Sequence, residues 1–207
     1  MKKYDDIVVG SGISGMTMSL ILGMNGRKVL LLEKSPHIGG AMARFYKQGI
    51  PFDTGFHFTG GLHKGGILYN MLSILGINDL IEPIFLSEDK ANIFIFEPEN
   101  KRYNIPYGIQ RIKEKFKGYF PEESAAIDSY FDKVKHVCDQ TPSMNPHNLM
   151  SLHNHINEDS VTLDEVLNGL TRNPVLKALL SCFAMCYGVR PDEISFANHS
   201  RMCIGLY

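Results

Sequence analysis

The apolar residues of this chain fall into runs of different period, and the period changes along its length. Ile7-Val8-Val9 is a short β-branched run between Asp5-Asp6 and Gly10, suited to a strand buried on both faces. Residues 13–26 are apolar in the manner of a helix, and Lys28-Val29-Leu30-Leu31-Leu32-Glu33 follows as a second strand ending on an acid. Residues 41–47 and 50–53 flank Gln48-Gly49 and predict a hairpin. Ile67, Leu68, Met71, Leu72 and Leu75 have helical spacing between Gly66 and Gly76. Ile84-Phe85-Leu86, Ile93-Phe94-Ile95-Phe96 and Tyr103-Asn104-Ile105 predict strands, the last two joined by a turn at Pro98-Glu99-Asn100.

From there the pattern turns helical. Residues 107–117 predict a basic amphipathic helix with Ile109, Ile112 and Phe116 on one face and its lysines on a solvated one. Pro121-Glu122-Glu123 opens a second helix carrying Ile127, Tyr130, Phe131, Val134 and Val137. Residues 141–148, with two prolines, read as a loop. Thr162-Leu163-Asp164-Glu165 reads as a capping box, and residues 174–187 as an apolar helix ended by Gly188 and Pro191.

The opening strand–turn–helix–strand carries chemistry. Its turn is Gly10-Ser11-Gly12-Ile13-Ser14-Gly15. Gly10 suits the tight exit from the strand, Gly12 removes a side chain where a pyrophosphate approaches the backbone, and Gly15 lets the helix pack closely. The helix start presents free N–H groups and the positive end of its dipole to phosphate. Glu33, at the end of the second strand, can accept hydrogen bonds from ribose hydroxyls. Strand, glycine turn, helix, second strand and terminal acid together form the fingerprint of an adenine dinucleotide site. Further along, Asp53-Thr54-Gly55-Phe56-His57-Phe58-Thr59-Gly60-Gly61 combines glycines, which allow close backbone approach to a ligand, with aromatic walls.

Composition narrows the possibilities. The net charge of −1 offers no basic field for nucleic acid. The first six residues lead straight into the first strand, without the pattern of a signal peptide, and no run of about 20 apolar residues marks a membrane span; the expected location is the cytoplasm. Cys138, Cys182, Cys186 and Cys203 make no CxxC pair and read as buried free thiols. His147, His153 and His155 lie in a polar stretch without metal-ligand spacing, so no metal is expected. Only one βαβ unit is visible in 207 residues. Two parallel strands make an incomplete sheet, so the chain reads as part of a longer one.

These residues resemble the FAD-dependent oxidoreductases of the phytoene desaturase, carotenoid isomerase and retinol saturase group. Three stretches carry the likeness: the glycine turn with Glu33 followed by Gly39-Gly40; residues 52–61; and Tyr187-Gly188-Val189-Arg190-Pro191-Asp192-Glu193-Ile194-Ser195-Phe196-Ala197. Phe120-Pro121-Glu122-Glu123 also fits. The resemblance implies an α/β architecture: a Rossmann-like, amine-oxidase-like FAD-binding segment over residues 1–65 and part of an α+β substrate domain over 66–207. It implies FAD as cofactor. Gly10, Gly12, Ile13, Ser14 and Gly15 would hold its pyrophosphate, and Glu33 and Lys34 would sit at the adenosine ribose. Gly39, Gly40, Ala41 and Met42 would run along the dinucleotide, and Gly55, Phe56 and His57 would approach the flavin. His57 would either donate a proton or shape the pocket; no catalytic residue follows from the sequence.

The resemblance further implies action on carbon–carbon bonds of an apolar polyene or lipid-like small molecule, by saturation, desaturation or isomerisation. It also implies peripheral membrane contact and a C-terminal half that these 207 residues do not contain. Two other readings stay open at this level: an NAD(P)-dependent dehydrogenase, and a non-catalytic binder with the fold of the Rab GDP-dissociation inhibitors.

Overall fold

A computed structural model describes residues 3–55, 58–97, 100–141, 144 and 160–207. The described chain divides into two compact units, Met1–Glu82 and Pro83–Tyr207.

In the first unit, β1 (Asp6–Val9) pairs in parallel with β2 (Val29–Leu32), with Asp6 opposite Val29 and Val9 opposite Leu32. The crossover is α1 (Ile13–Met24). The Arg27 guanidinium grips the Asp6 carboxylate at the strand starts. β3 (Phe45–Lys47) and β4 (Ile50–Phe52) form the expected hairpin. Gln48 and Gly49 at its tip both adopt positive φ, 51° and 79°, as a two-residue hairpin turn requires, and Phe45 stacks on Phe52 across it. α2 (Ile67–Ile74) follows and stops at Gly76, φ 67°. Among the described residues the parallel sheet has two strands. Ile7 and Val9 are exposed at 63% and 82%, whereas strands of a parallel sheet normally have both faces covered.

The second unit holds the core. Among the described residues, all the large apolar side chains that are buried lie between Tyr103 and Tyr207. β5 (Asn92–Phe96) and β6 (Lys101–Ile105) pair antiparallel, and Asn100 turns between them at φ 48°; Pro98 and Glu99 lie outside the described residues. α3 (Ile109–Tyr119) buries Ile112 and Phe116. A 3-10 turn at Pro121–Glu123 leads into α4 (Ser124–Gln140), which buries Ile127, Tyr130, Phe131 and Val134. In α5 (Leu163–Leu170) the capping box is complete: the Thr162 hydroxyl accepts from Glu165 N, and the Glu165 carboxylate accepts from Thr162 N. α6 (Pro174–Ser181) and α7 (Phe196–Cys203) close the core.

Several expectations change. Residues 84–86 form no strand; Ile84 is 96% exposed. Apolar residues alone do not make a strand, which needs a ladder partner, and β6 takes up β5. The helix expected over 174–187 is α-helical only to Ser181 and continues as a 3-10 turn, Cys182–Tyr187, to Gly188 at φ 70°. The α3 lysines are not simply solvated. Lys113 bridges Asp128 at 2.9 Å and Asp132 at 3.3 Å on α4, and Lys117 meets Asp128 at 2.6 Å. Of the four thiols, Cys138 and Cys203 are buried but Cys186 is exposed. Most of the loop at 141–148, with His147, His153 and His155, lies outside the described residues. None of the described helices is long and apolar enough to cross a membrane.

At the centre of this core sits a polar cluster. His199 is fully buried. The Tyr130 hydroxyl contacts the Leu180 carbonyl at 3.0 Å, His199 Nε2 at 2.9 Å and the Tyr207 hydroxyl at 3.0 Å. A carbonyl only accepts, so the single Tyr130 proton goes to Leu180 and the other two neighbours donate. His199 therefore carries its proton on Nε2, and Nδ1 accepts from the Tyr187 hydroxyl at 2.5 Å. Burial pushes the imidazole down to about 4, opposed in part by the Leu180 carbonyl. Between the ordinary value of 6.5 and about 4 the unfolded chain binds the extra proton and the folded one does not. Stability is thus complete above the upper value and falls as pH drops through the window, by on the order of 3 kcal/mol. Urea midpoints measured across that window should show this slope, and the non-titrating His199→Gln variant should lose it.

Candidate functional site

β1, the turn after it and the start of α1 place the glycines. Gly10 leaves the strand at φ 98°, a conformation open to glycine and strained for other residues. Gly12 caps α1 with extended backbone, φ −68°, and no side chain caps the helix start. The first hydrogen bond of the helix runs from Met16 N to Gly12 O, 3.0 Å, so the preceding N–H groups point out of the helix end without an intrahelical partner.

What a side chain would meet separates the glycines by cause. A Cβ at Gly15 would lie 1.9 Å from the Gly10 carbonyl oxygen, and one at Gly40 would lie 3.0 Å from Gly12 Cα. Both are required by packing within the chain. A Cβ at Gly12 would meet nothing within 4 Å. Neither its φ nor its neighbours call for glycine, and its bare backbone borders the open space in front of the helix end. That is the fit expected for a pyrophosphate.

The second glycine pair lies against this loop. Gly39 and Gly40 both adopt positive φ, 115° and 59°. Gly39 bridges Gly12 in parallel, and its N–H donates to the Ser11 carbonyl at 3.0 Å. Ala41 and Met42 follow in the 3-10 turn Gly40–Met42, and the Thr54 hydroxyl donates to the Ala41 and Ala43 carbonyls at 2.9 and 3.1 Å. This tie, with the Arg44–Asp53 ion pair at 2.7 Å, brings Gly55 to the same stretch. Phe56 and His57 lie outside the described residues.

Glu33 closes the loop from the other side. One carboxylate oxygen accepts from Ser11 N and from the Ser11 hydroxyl, both at 2.7 Å, and the other accepts from Ser35 N at 2.8 Å. Hydrogen bonds from the Ser35 backbone, the Ser11 backbone and the Ser11 hydroxyl hold the carboxyl down to about 2, against partial desolvation. It is ionised throughout the physiological range. Lys34 beside it, and Ile13 and Ser14 at the helix start, are exposed.

Comparison with known proteins meets this geometry. A family model described as an NAD(P)-binding Rossmann-like domain matches residues 8–75. An all-trans-retinol 13,14-reductase of Danio rerio is 34% identical over 212 residues, covering 95% of this chain and 35% of the relative. Over these residues the chain is similar to the retinol 13,14-reductases. A prolycopene isomerase of an Oncidium hybrid cultivar is 27% identical over 132 residues, covering 64% of this chain and 22% of that one. Among solved structures, cyclohexylamine oxidase of Brevibacterium oxydans superposes with a TM-score of 0.62 at 21% identity, covering 99% of this chain and 43% of that one. That likeness shows an amine-oxidase-like fold. The chain spans about a third of the length of the retinol reductases it matches.

The structure draws together Gly10, Gly12, Gly15, Glu33, Gly39 and Gly40, with Ala41, Met42 and Gly55 next along the same stretch. Two side chains of the site were not singled out by sequence reasoning. Ser11 stands at the variable position of the glycine motif, and its partner Glu33 is 22 residues away; no local pattern announces the pair. Thr54 lies within the aromatic glycine stretch but works by tying 54 to 41 and 43. The two glycine classes predict losses of different size. Gly15→Ala should destabilise the first unit by about 1–3 kcal/mol through overpacking. Gly12→Ala should cost no more than about 1 kcal/mol, the difference between glycine and alanine at a helix cap. Native-state hydrogen exchange of the α1 amides reads both.

Proposed function

We propose that the chain provides the dinucleotide-binding part of an FAD-dependent oxidoreductase acting on carbon–carbon bonds of an apolar polyene or lipid-like substrate. The observation that carries this reading is Gly12: a glycine with no internal cause, at an uncapped helix start, beside an ionised Glu33. The backbone N–H groups of the Gly10–Gly15 turn and α1 would hold the pyrophosphate. Glu33, with Lys34 beside it, would take the adenosine ribose. Gly39, Gly40, Ala41 and Met42 would follow the dinucleotide, and Gly55, Phe56 and His57 would lie toward the flavin. When bound, FAD supplies transfer of a hydride to or from carbon; the residues of this chain bind and orient it. Support for the substrate class comes from the relatives named for all-trans-retinol and prolycopene. Peripheral contact with a membrane, where such apolar molecules reside, belongs to the same reading.

The family model's description leaves a nicotinamide cofactor as the competing ligand. A carboxylate at the ribose disfavours the 2′-phosphate of NADP. Calorimetric titration with FAD, NAD and NADP decides between them. FAD is expected to bind, NADP to bind least, and Gly12→Ala to weaken FAD by roughly tenfold or more, about 1.4 kcal/mol. Binding of NAD without FAD would overturn the flavin reading. For the chemistry, the flavoprotein, tried both reduced and oxidised, should change the absorption of a conjugated polyene in one of the two states; an unchanged spectrum in both would remove the proposed substrate class.

A further inference from the structure

Glu33 already carries more hydrogen-bond donors than a ribose-binding acid with free capacity would. Oε2 accepts Ser11 N–H and Ser11 Oγ–H, both at 2.7 Å, and Oε1 accepts Ser35 N–H at 2.8 Å. A carboxylate offers about four lone-pair positions. The three bonds leave one position open, and a ribose bringing both of its hydroxyls to Glu33 needs two, so one of the present donors must give way.

The donors differ in what it takes to move them. The Ser11 N–H belongs to a turn whose backbone is pinned by Gly39 N–H on the Ser11 carbonyl at 3.0 Å. The Ser35 N–H belongs to the chain leaving β2. The Ser11 hydroxyl alone can leave by rotation about one side-chain bond. Ser11 is 1% exposed, and its hydroxyl is bonded to Glu33. A buried hydroxyl without a partner is costly, so it leaves Glu33 only when something else accepts its proton. An incoming ribose hydroxyl does both things: it donates to Glu33 and can accept from Ser11.

We propose that the Ser11 hydroxyl is a stand-in for the ribose 2′-hydroxyl, filling that group's position on Glu33 in the ligand-free protein and yielding it when an adenosine ribose binds. This rests on the reading of the site as an adenine dinucleotide site. The stand-in keeps the acid ionised and aimed at the cost of competing with the ligand. Ser11 is thus a positioning residue that acts through Glu33, and its removal should tighten ribose binding.

The test pairs Ser11→Ala with two probes, ADP and 2′-deoxy-ADP, and with a carboxyl-carbon NMR titration of ligand-free Glu33. The variant keeps the Ser11 and Ser35 N–H donors. Its Glu33 should therefore titrate above the present value of about 2 while staying below the ordinary 4.5. ADP should bind roughly three- to tenfold tighter to the variant, the worth of one modest hydrogen bond, and 2′-deoxy-ADP should gain nothing. An unmoved Glu33 titration, no gain for ADP, or an equal gain for both nucleotides would each overturn the stand-in. Failure of both nucleotides to bind either protein would instead overturn the cofactor reading beneath it. The amide NMR spectrum reports whether Ser11→Ala folds. Should it not, Ser11→Cys, close in shape and a weak donor, should give the same ordering.

Discussion

The close contact between Gly15 and the Gly10 carbonyl sets the geometry of the first unit. With the helix backbone this near the loop, the turn after β1 has one path, and the start of α1 is aimed into the open space before Gly12. The contact is steric and cannot be rebuilt by a different side chain. Gly40 repeats the device from the other side by approaching Gly12 Cα. Two glycines at which a Cβ would press on backbone thus define the place of a third at which a Cβ would meet nothing. This division of labour within one motif suits the loop to the binding role proposed for it.

Charge completes what sterics begin. Glu33 is held ionised at the rim of the same loop by donors from Ser11 and Ser35. The neighbouring helix start carries partial positive charge. A ligand with phosphate at one end and a hydroxylated sugar beside it matches both. The second unit solves the opposite problem. There the polar atoms are buried, and Tyr130, Tyr187, His199 and Tyr207 satisfy one another without any formal charge.

Much of this was legible before any coordinates. The βαβ order, the Gln48-Gly49 hairpin, the capping box at Thr162 and the glycines of the loop follow from local rules, and the structure shows each of them. What was not legible depends on distant partners. Ile84-Phe85-Leu86 has strand composition but no strand to pair with. The helix from Pro174 gives way to 3-10 geometry after Ser181, where the Leu180 carbonyl receives the Tyr130 hydroxyl from 50 residues away. The lysines of α3 look like a solvated face until α4 brings Asp128 and Asp132 alongside. Ser11 was hidden for the same reason: its meaning lies in a carboxylate on another strand.

The uneven burial of the chain has a consequence in time. A growing polypeptide presents its N-terminal residues first, and here those residues include β1 with Ile7 and Val9 uncovered. Its partner strand must be fetched across the whole of α1, a non-local pairing that forms slowly. The residues that bury one another well, from Tyr103 onward, are made later than these, and many of their contacts join neighbouring helices. Order of synthesis and order of stability therefore run in opposite directions. The turn after β1 emerges early beside an apolar strand that stays bare in the folded chain, so β1 is an edge open to aggregation from the first stages of biogenesis onward.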